Sequence, residues 1–100
     1  MRHWHTREEE FIFVLSGEVV LRTDSGEQTL TAGTCAGFPA SPDGKTGDGH
    51  QLINRGTVPA VYLEISNRDP ADSAEYPDDD LAYRKGPSGA VFTHKDGTPY

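Results

Sequence analysis

The longest apolar run in this 100-residue chain is Phe11-Ile12-Phe13-Val14-Leu15, and Ser16-Gly17 breaks it. Five residues cannot span a bilayer, which takes about 20 in a helix. The run is rich in β-formers and apolar on both faces. Gly17 to Thr23 resumes the pattern, so residues 10–23 read as a β-hairpin or as two successive strands. Asp24-Ser25-Gly26-Glu27 is a turn, with Gly26 available for a positive φ. Gln28 to Thr31 is a short strand, and Cys35 to Phe38 is another, stopped by Pro39. Ala40 to Gly49 reads as a loop. His50 to Arg55 and Ala60 to Ile65 read as strands around the turn Gly56 to Pro59. No stretch of useful length carries a helical period. Six or so short strands spaced about 8–12 residues apart predict an all-β sandwich or barrel.

Leu, Ile, Val and Phe number only 19, and 16 of them lie in residues 1–66. Composition therefore predicts that the packed sandwich or barrel lies in residues 1–66. A loosely held, irregular C-terminal tail over 67–100 would pack on or near it. That tail holds Leu81, Val91 and Phe92 and the acidic run Asp78-Asp79-Asp80. Its charges read as a solvated strap, with Val91-Phe92 free to dock. Sixteen acids against nine bases give a net charge of −7, and only Arg84-Lys85 places two bases side by side. A nucleic-acid partner is not expected, because phosphate neutralisation needs clustered bases. Nor is a membrane partner. Met1-Arg2-His3-Trp4-His5 offers no apolar stretch of a secretory signal. A lone Cys35 allows neither an internal disulfide nor a cysteine metal cluster, and it reads as a small buried hydrophobe. These features lead to the expectation of a cytoplasmic protein.

The chemistry concentrates near the start. His3 and His5 are two apart, which in a strand puts both rings on one face, with Cα atoms roughly 6.6 Å apart. Trp4 then points the other way, into a core. Such a pair is either solvent-exposed or shares a metal ion. Within the following strand Glu10, Ile12 and Val14 share one face; Glu9, Phe11, Phe13 and Leu15 share the other. Glu8 reads as a solvated charge at the strand entrance. One carboxylate with two or three histidines is a ligand set for Fe, Mn, Ni, Cu or Zn with open coordination positions. His94 reads as exposed. Tyr62, Arg22 and Gln51 lie on strands from which a substrate is within reach.

His3-x-His5, four residues, Glu10, six residues and Gly17 resemble the first motif of the cupins. Gly33, five residues, Pro39, and later Gly47-x-x-His50, three residues, Asn54 resemble the second. The resemblance covers about residues 2–67. It implies a jelly-roll (double-stranded β-helix) barrel with His3, His5, Glu10 and His50 facing inward as ligands of one divalent transition metal. Gly17 and Gly33 then serve sharp turns, Pro39 ends a strand, and Asn54 satisfies backbone groups in the turn before Ala60. Two departures stand out. The pattern has a glycine and one or more strands ahead of the first histidine, whereas this chain begins two residues before it, so an N-terminally truncated barrel is expected. Pro39 and Gly47 are separated by seven residues where the pattern has one.

The resemblance implies a metal-dependent enzyme acting on a small organic molecule, of oxygenase, isomerase, decarboxylase or lyase type. A non-enzymatic module that binds or senses a small ligand is the alternative. No side chain stands out as the catalytic acid or base. Unpaired strand edges and a thin core predict a homodimer.

Overall fold

The computed structural model describes residues 1–41 and 47–100 and is all-β. Among the described residues ten strands run in chain order: β1 Trp4–His5, β2 Glu10–Ser16, β3 Glu18–Thr23, β4 Gly26–Thr31, β5 Cys35–Phe38, β6 Gln51–Ile53, β7 Val61–Ser66, β8 Ser73–Glu75, β9 Ala82–Gly86 and β10 Gly89–Thr93. They form three antiparallel sheets in a jelly-roll arrangement, ordered β5-β2-β7, β4-β3-β6 and β1-β8-β9-β10.

Residues 10–23 are two successive strands in different sheets, not a hairpin: β2 pairs with β5 and β7, β3 with β4 and β6. Gly17 makes the corner. Its φ is +72°, and a Cβ there would meet the Pro59 carbonyl oxygen at 2.7 Å. The turn at Asp24-Ser25 closes the β3–β4 hairpin as expected, with Thr23 opposite Gly26. Asn54 fills its expected role: its Nδ2 donates to the Val58 carbonyl at 2.9 Å, and its Oδ1 accepts the Gly56 N–H at 3.0 Å.

Alternation along β2 sorts its residues as the sequence requires. Ile12 and Val14 are buried, while Phe11, Phe13 and Leu15 lie on the outer face. The core is Ile12, Val14, Val19, Leu21 and Leu30, with Ala36, Phe38, Leu52 and Ala60 packed against it. Cys35 belongs to the outer face and is exposed, not buried, because it stands opposite Phe13 in the β5–β2 register.

The segment after Asn67 is not an irregular strap. It supplies β8, β9 and β10, and β8 pairs with β1 at Trp4 and His5. Backbone pairing, rather than apolar content, ties it down. His94 is half-buried, with its ring stacked on Tyr100 and Nδ1 2.7 Å from Asp80 Oδ2. The enlarged loop expected between Pro39 and Gly47 falls mostly on residues 42–46, outside the described residues. Trp4 packs over Gly47, where even a Cβ would collide with the indole.

Candidate metal centre

Backbone pairing brings the histidines together. His3 and His50 form an isolated antiparallel bridge, with N–H to carbonyl distances of 3.0 and 2.8 Å in the two directions. Residues opposed in this way project to the same side, and the two rings lie 4.9 Å apart. His5 sits two residues on, its ring 5.2 Å from that of His3. Glu10 opens β2, on the face of Ile12 and Val14, and reaches both His5 and His50. Its Oε1 is 2.5 Å from His5 Nε2, and its Oε2 is 3.4 Å from His50 Nε2. Ligand atoms of His3, His5 and Glu10 all lie within 4.8 Å of one another. His50 lies outside that mutual grouping but adjoins Glu10 and His3. It is buried, stacks on Phe38 at 3.9 Å, and its Nδ1 has no partner among the described residues.

The far side of each ring matters as much. His3 Nδ1 lies 2.9 Å from the Met1 carbonyl, which can only accept, so the proton belongs on Nδ1 and Nε2 carries the lone pair. His5 Nδ1 lies 2.6 Å from Asp72 Oδ2. Asp72 is 1% exposed, and its Oδ1 accepts the backbone N–H groups of Arg7 and Glu8 at 3.1 and 3.0 Å. A buried carboxylate behind an imidazole fixes the ring's orientation and raises its basicity, as in carboxylate–histidine–metal arrangements.

Electrostatics follow from these contacts. Burial works against charge on His5, but hydrogen bonds to Glu10 and Asp72 outweigh it and raise its pKa to about 9. Burial likewise opposes ionisation of Glu10, yet His5 and His50 hold its carboxyl well below the usual range. The Asp72 carboxyl is also held low: burial is overcome by the Glu8 N–H, then by His5 and the Arg7 N–H. Burial lowers the pKa of His3, partly offset by the Met1 carbonyl.

A second group, His5, Glu8 and Asp72, also has ligand atoms within 4.8 Å of one another. It suits a metal less well. Glu8 Oε1 already accepts from Lys85 Nζ at 2.7 Å and from the Asp69 N–H at 3.0 Å, and Asp72 is taken up by backbone donors. The site with three imidazoles and one carboxylate is the one whose donors fit a transition metal.

These residues line one cavity of about 700 Å³. Gln51 and Tyr62 line it, as their strand positions allowed; Arg22 does not. Its remaining wall includes Glu8, Glu64, Arg68, Tyr76, Tyr83 and Lys85. Glu8 is buried and ion-paired rather than solvated. Asp72, Tyr76, Tyr83 and Lys85 come from the segment read as a strap, and no spacing rule links Asp72 to His5 across 67 positions. The tyrosines at 76 and 83, in a segment otherwise poor in large apolar residues, were the one available signal.

Two solved structures share this fold. One is described as a sugar phosphate isomerase from a cupin superfamily, from Silicibacter pomeroyi. It is 40% identical, with a TM-score of 0.90, and the match covers 100% of this chain and 61% of that one. The other, from Acidithiobacillus ferrooxidans, has sugar phosphate isomerase activity provisionally ascribed to it. It is 25% identical, with a TM-score of 0.81, over 99% of this chain and 60% of that one. The present chain thus spans about three fifths of the length of each. No curated protein matches it significantly. The cupin domain model matches residues 1–66, the stretch that carries His3, His5, Glu10 and His50, and the chain is therefore a member of the cupin family.

Proposed function

We propose that the chain is a metal-dependent enzyme that interconverts a phosphorylated aldose and ketose. His3, His5, Glu10 and His50 would hold one divalent transition metal. The observation that carries this reading is the convergence of these side chains on the wall of a 700 Å³ cavity that also holds polar groups not needed as ligands. The likeness to the two sugar phosphate isomerases narrows the reaction class.

Bound there, a metal supplies a Lewis acid for a carbonyl or hydroxyl oxygen. The remaining work falls to the chain. Isomerisation removes a proton from the carbon beside the carbonyl and returns one to its neighbour, which calls for a carboxylate within reach. Among the described residues, Glu8 and Glu64 are the cavity carboxylates outside the ligand set. Burial raises the pKa of Tyr76, so its phenol stays protonated at neutral pH and can donate to a substrate oxygen. Asp72 holds the His5 ring in place.

The test is elemental analysis of protein purified without added metal, then NMR of aldose and ketose phosphates incubated with it. Metal near one equivalent, with turnover lost on chelation and restored by a divalent ion, is expected. Folded protein that binds no transition metal would end the proposal.

A further inference from the structure

Among the described residues, two cations on the cavity wall have no part in the metal cluster, Lys85 and Arg68. Lys85 donates to Glu8 Oε1 at 2.7 Å, leaving two of its three ammonium hydrogens unspent on that bond. The Arg68 guanidinium makes no hydrogen bond or ion pair among the described residues; its backbone N–H donates to Ser66 Oγ at 3.4 Å. Among the described residues no acid of the cavity pairs with it, Glu64 included. Glu8 is engaged by Lys85, and Glu10 by His5 and His50.

The backbone at Arg68 is unusual as well. Among the described residues it is the one non-glycine residue with positive φ, at 50°. The left-handed region is costly for a long side chain, and it persists where the surroundings dictate it. Here both neighbours are held. The Glu9 N–H donates to Asn67 Oδ1 at 2.8 Å, and the Asp69 N–H donates to Glu8 Oε1 at 3.0 Å. One oxygen of Glu8 therefore anchors the Arg68 turn and Lys85 together. A strained turn whose exposed arginine lines the cavity without an ion-pair partner, tied through Glu8 to the ammonium of Lys85, is arranged for an anion. A guanidinium fork matches phosphate oxygens two at a time, and an ammonium adds a compact charge.

We infer that Arg68, backed by Lys85, binds the phosphate group of a phosphorylated small molecule whose other end reaches the His3–His5–Glu10–His50 cluster. This rests on the sugar-phosphate reading above and assigns its phosphate subsite.

The experiment is calorimetric titration of the metal-loaded protein with inorganic phosphate, and with fructose 6-phosphate against fructose, at low and high salt. The wild type should bind both phosphates, more weakly as salt rises. Arg68→Gln should weaken phosphate binding about tenfold or more, with Arg68→Lys intermediate and metal content unchanged. Arg68→Gly separates function from folding. It removes the left-handed strain, so its Tm should equal or exceed that of the wild type while phosphate binding is lost. A wild type that binds no phosphate, or an Arg68→Gln variant that binds it as the wild type does, overturns the assignment. The isomerase reading fails separately. Phosphate binding that depends on Arg68 without sugar phosphate turnover leaves the anion site and removes the reaction. Turnover with an unchanged KM in Arg68→Gln leaves the reaction and removes the site.

Discussion

His5 stands between two carboxylates, Glu10 and Asp72, and that position gives the site its pH dependence. Without metal its imidazolium is favoured up to about pH 9, well above the 6.5 of a free histidine. The raised value contributes stability that is fully present below pH 6.5 and lost as pH rises through about 9. The metal-free protein should therefore lose up to about 3 kcal/mol over that interval, seen as a falling Tm, and His5→Gln should flatten the profile. A metal ion must displace the same proton from Nε2. Calorimetry at pH 7 in buffers of different ionisation enthalpy should show about one proton released per metal ion bound. Release of none would show that His5 is not a ligand. Asp72 acts through His5 and is a positioning residue. Asp72→Asn keeps the volume but removes the charge, and it should weaken metal binding about 10–100-fold. It should also shift the metal-binding pH profile to lower pH, because His5 loses one of the groups that raise its pKa. An unchanged profile would mean that Asp72 serves only the Arg7–Glu8 backbone. Little of this could be read from the residues: His3-x-His5 and Glu10 fall into a motif, whereas Asp72 belongs to none.

At the scale of elements, β2 was legible in full. Its alternation assigns Glu10, Ile12 and Val14 to one face, and the structure buries Ile12 and Val14. Glu10→Gln should accordingly cost far more metal than Glu9→Gln, whose side chain is exposed. The measurement is metal per protomer in the folded variants, and equal losses would contradict the assignment. His50 is the one proposed ligand that follows residues 42–46, and His50→Ala should lower metal content strongly. Strands β8 to β10 were not legible. Ser73-Ala74-Glu75 and Ala82-Tyr83-Arg84-Lys85-Gly86 carry neither a long apolar run nor strict alternation, and what holds them is pairing with one another and with β1. The β8–β9 and β9–β10 pairs are local, but β8 is tied to the barrel by β1, some 70 positions away, which local composition does not reveal. It follows that a chain ending at Asn67 should bind metal poorly although all four proposed ligands remain. It lacks the β8 partner of Trp4 and His5, and it lacks Asp72. Metal binding equal to that of the full chain would show that β1 positions the histidines alone.

At the scale of the molecule, the described residues leave the outer face of the β5-β2-β7 sheet bare. Phe11, Phe13 and Leu15 from β2 adjoin Val61, Leu63 and Ile65 from β7, each 36–58% exposed. Register sets Phe11 opposite Ile65 and Phe13 opposite Leu63, so the patch is continuous. The neighbouring β5 positions, Cys35 opposite Phe13 and Gly37 opposite Phe11, add no charge. The six side chains expose roughly 500 Å² together, a large patch for a small chain. Apart from the exposed Glu9 just ahead of β2, the face carries no charge to read, and it fits a second copy of itself under two-fold symmetry. Two such faces would bury about 1,000 Å², the lower limit for a specific interface, which predicts a weak, concentration-dependent homodimer rather than an obligate one. Net charge −7 opposes close approach at long range, so salt should strengthen association. Sedimentation across a hundredfold range of concentration is the measurement. Wild-type protein should pass from monomer to dimer, and Leu63→Glu, which places a charge at the centre of the patch, should stay monomeric with its metal content intact. A wild type that remains monomeric throughout would mean that the face tolerates water. A Leu63→Glu dimer would mean that the copies meet elsewhere, along the free edges of β5 or β7.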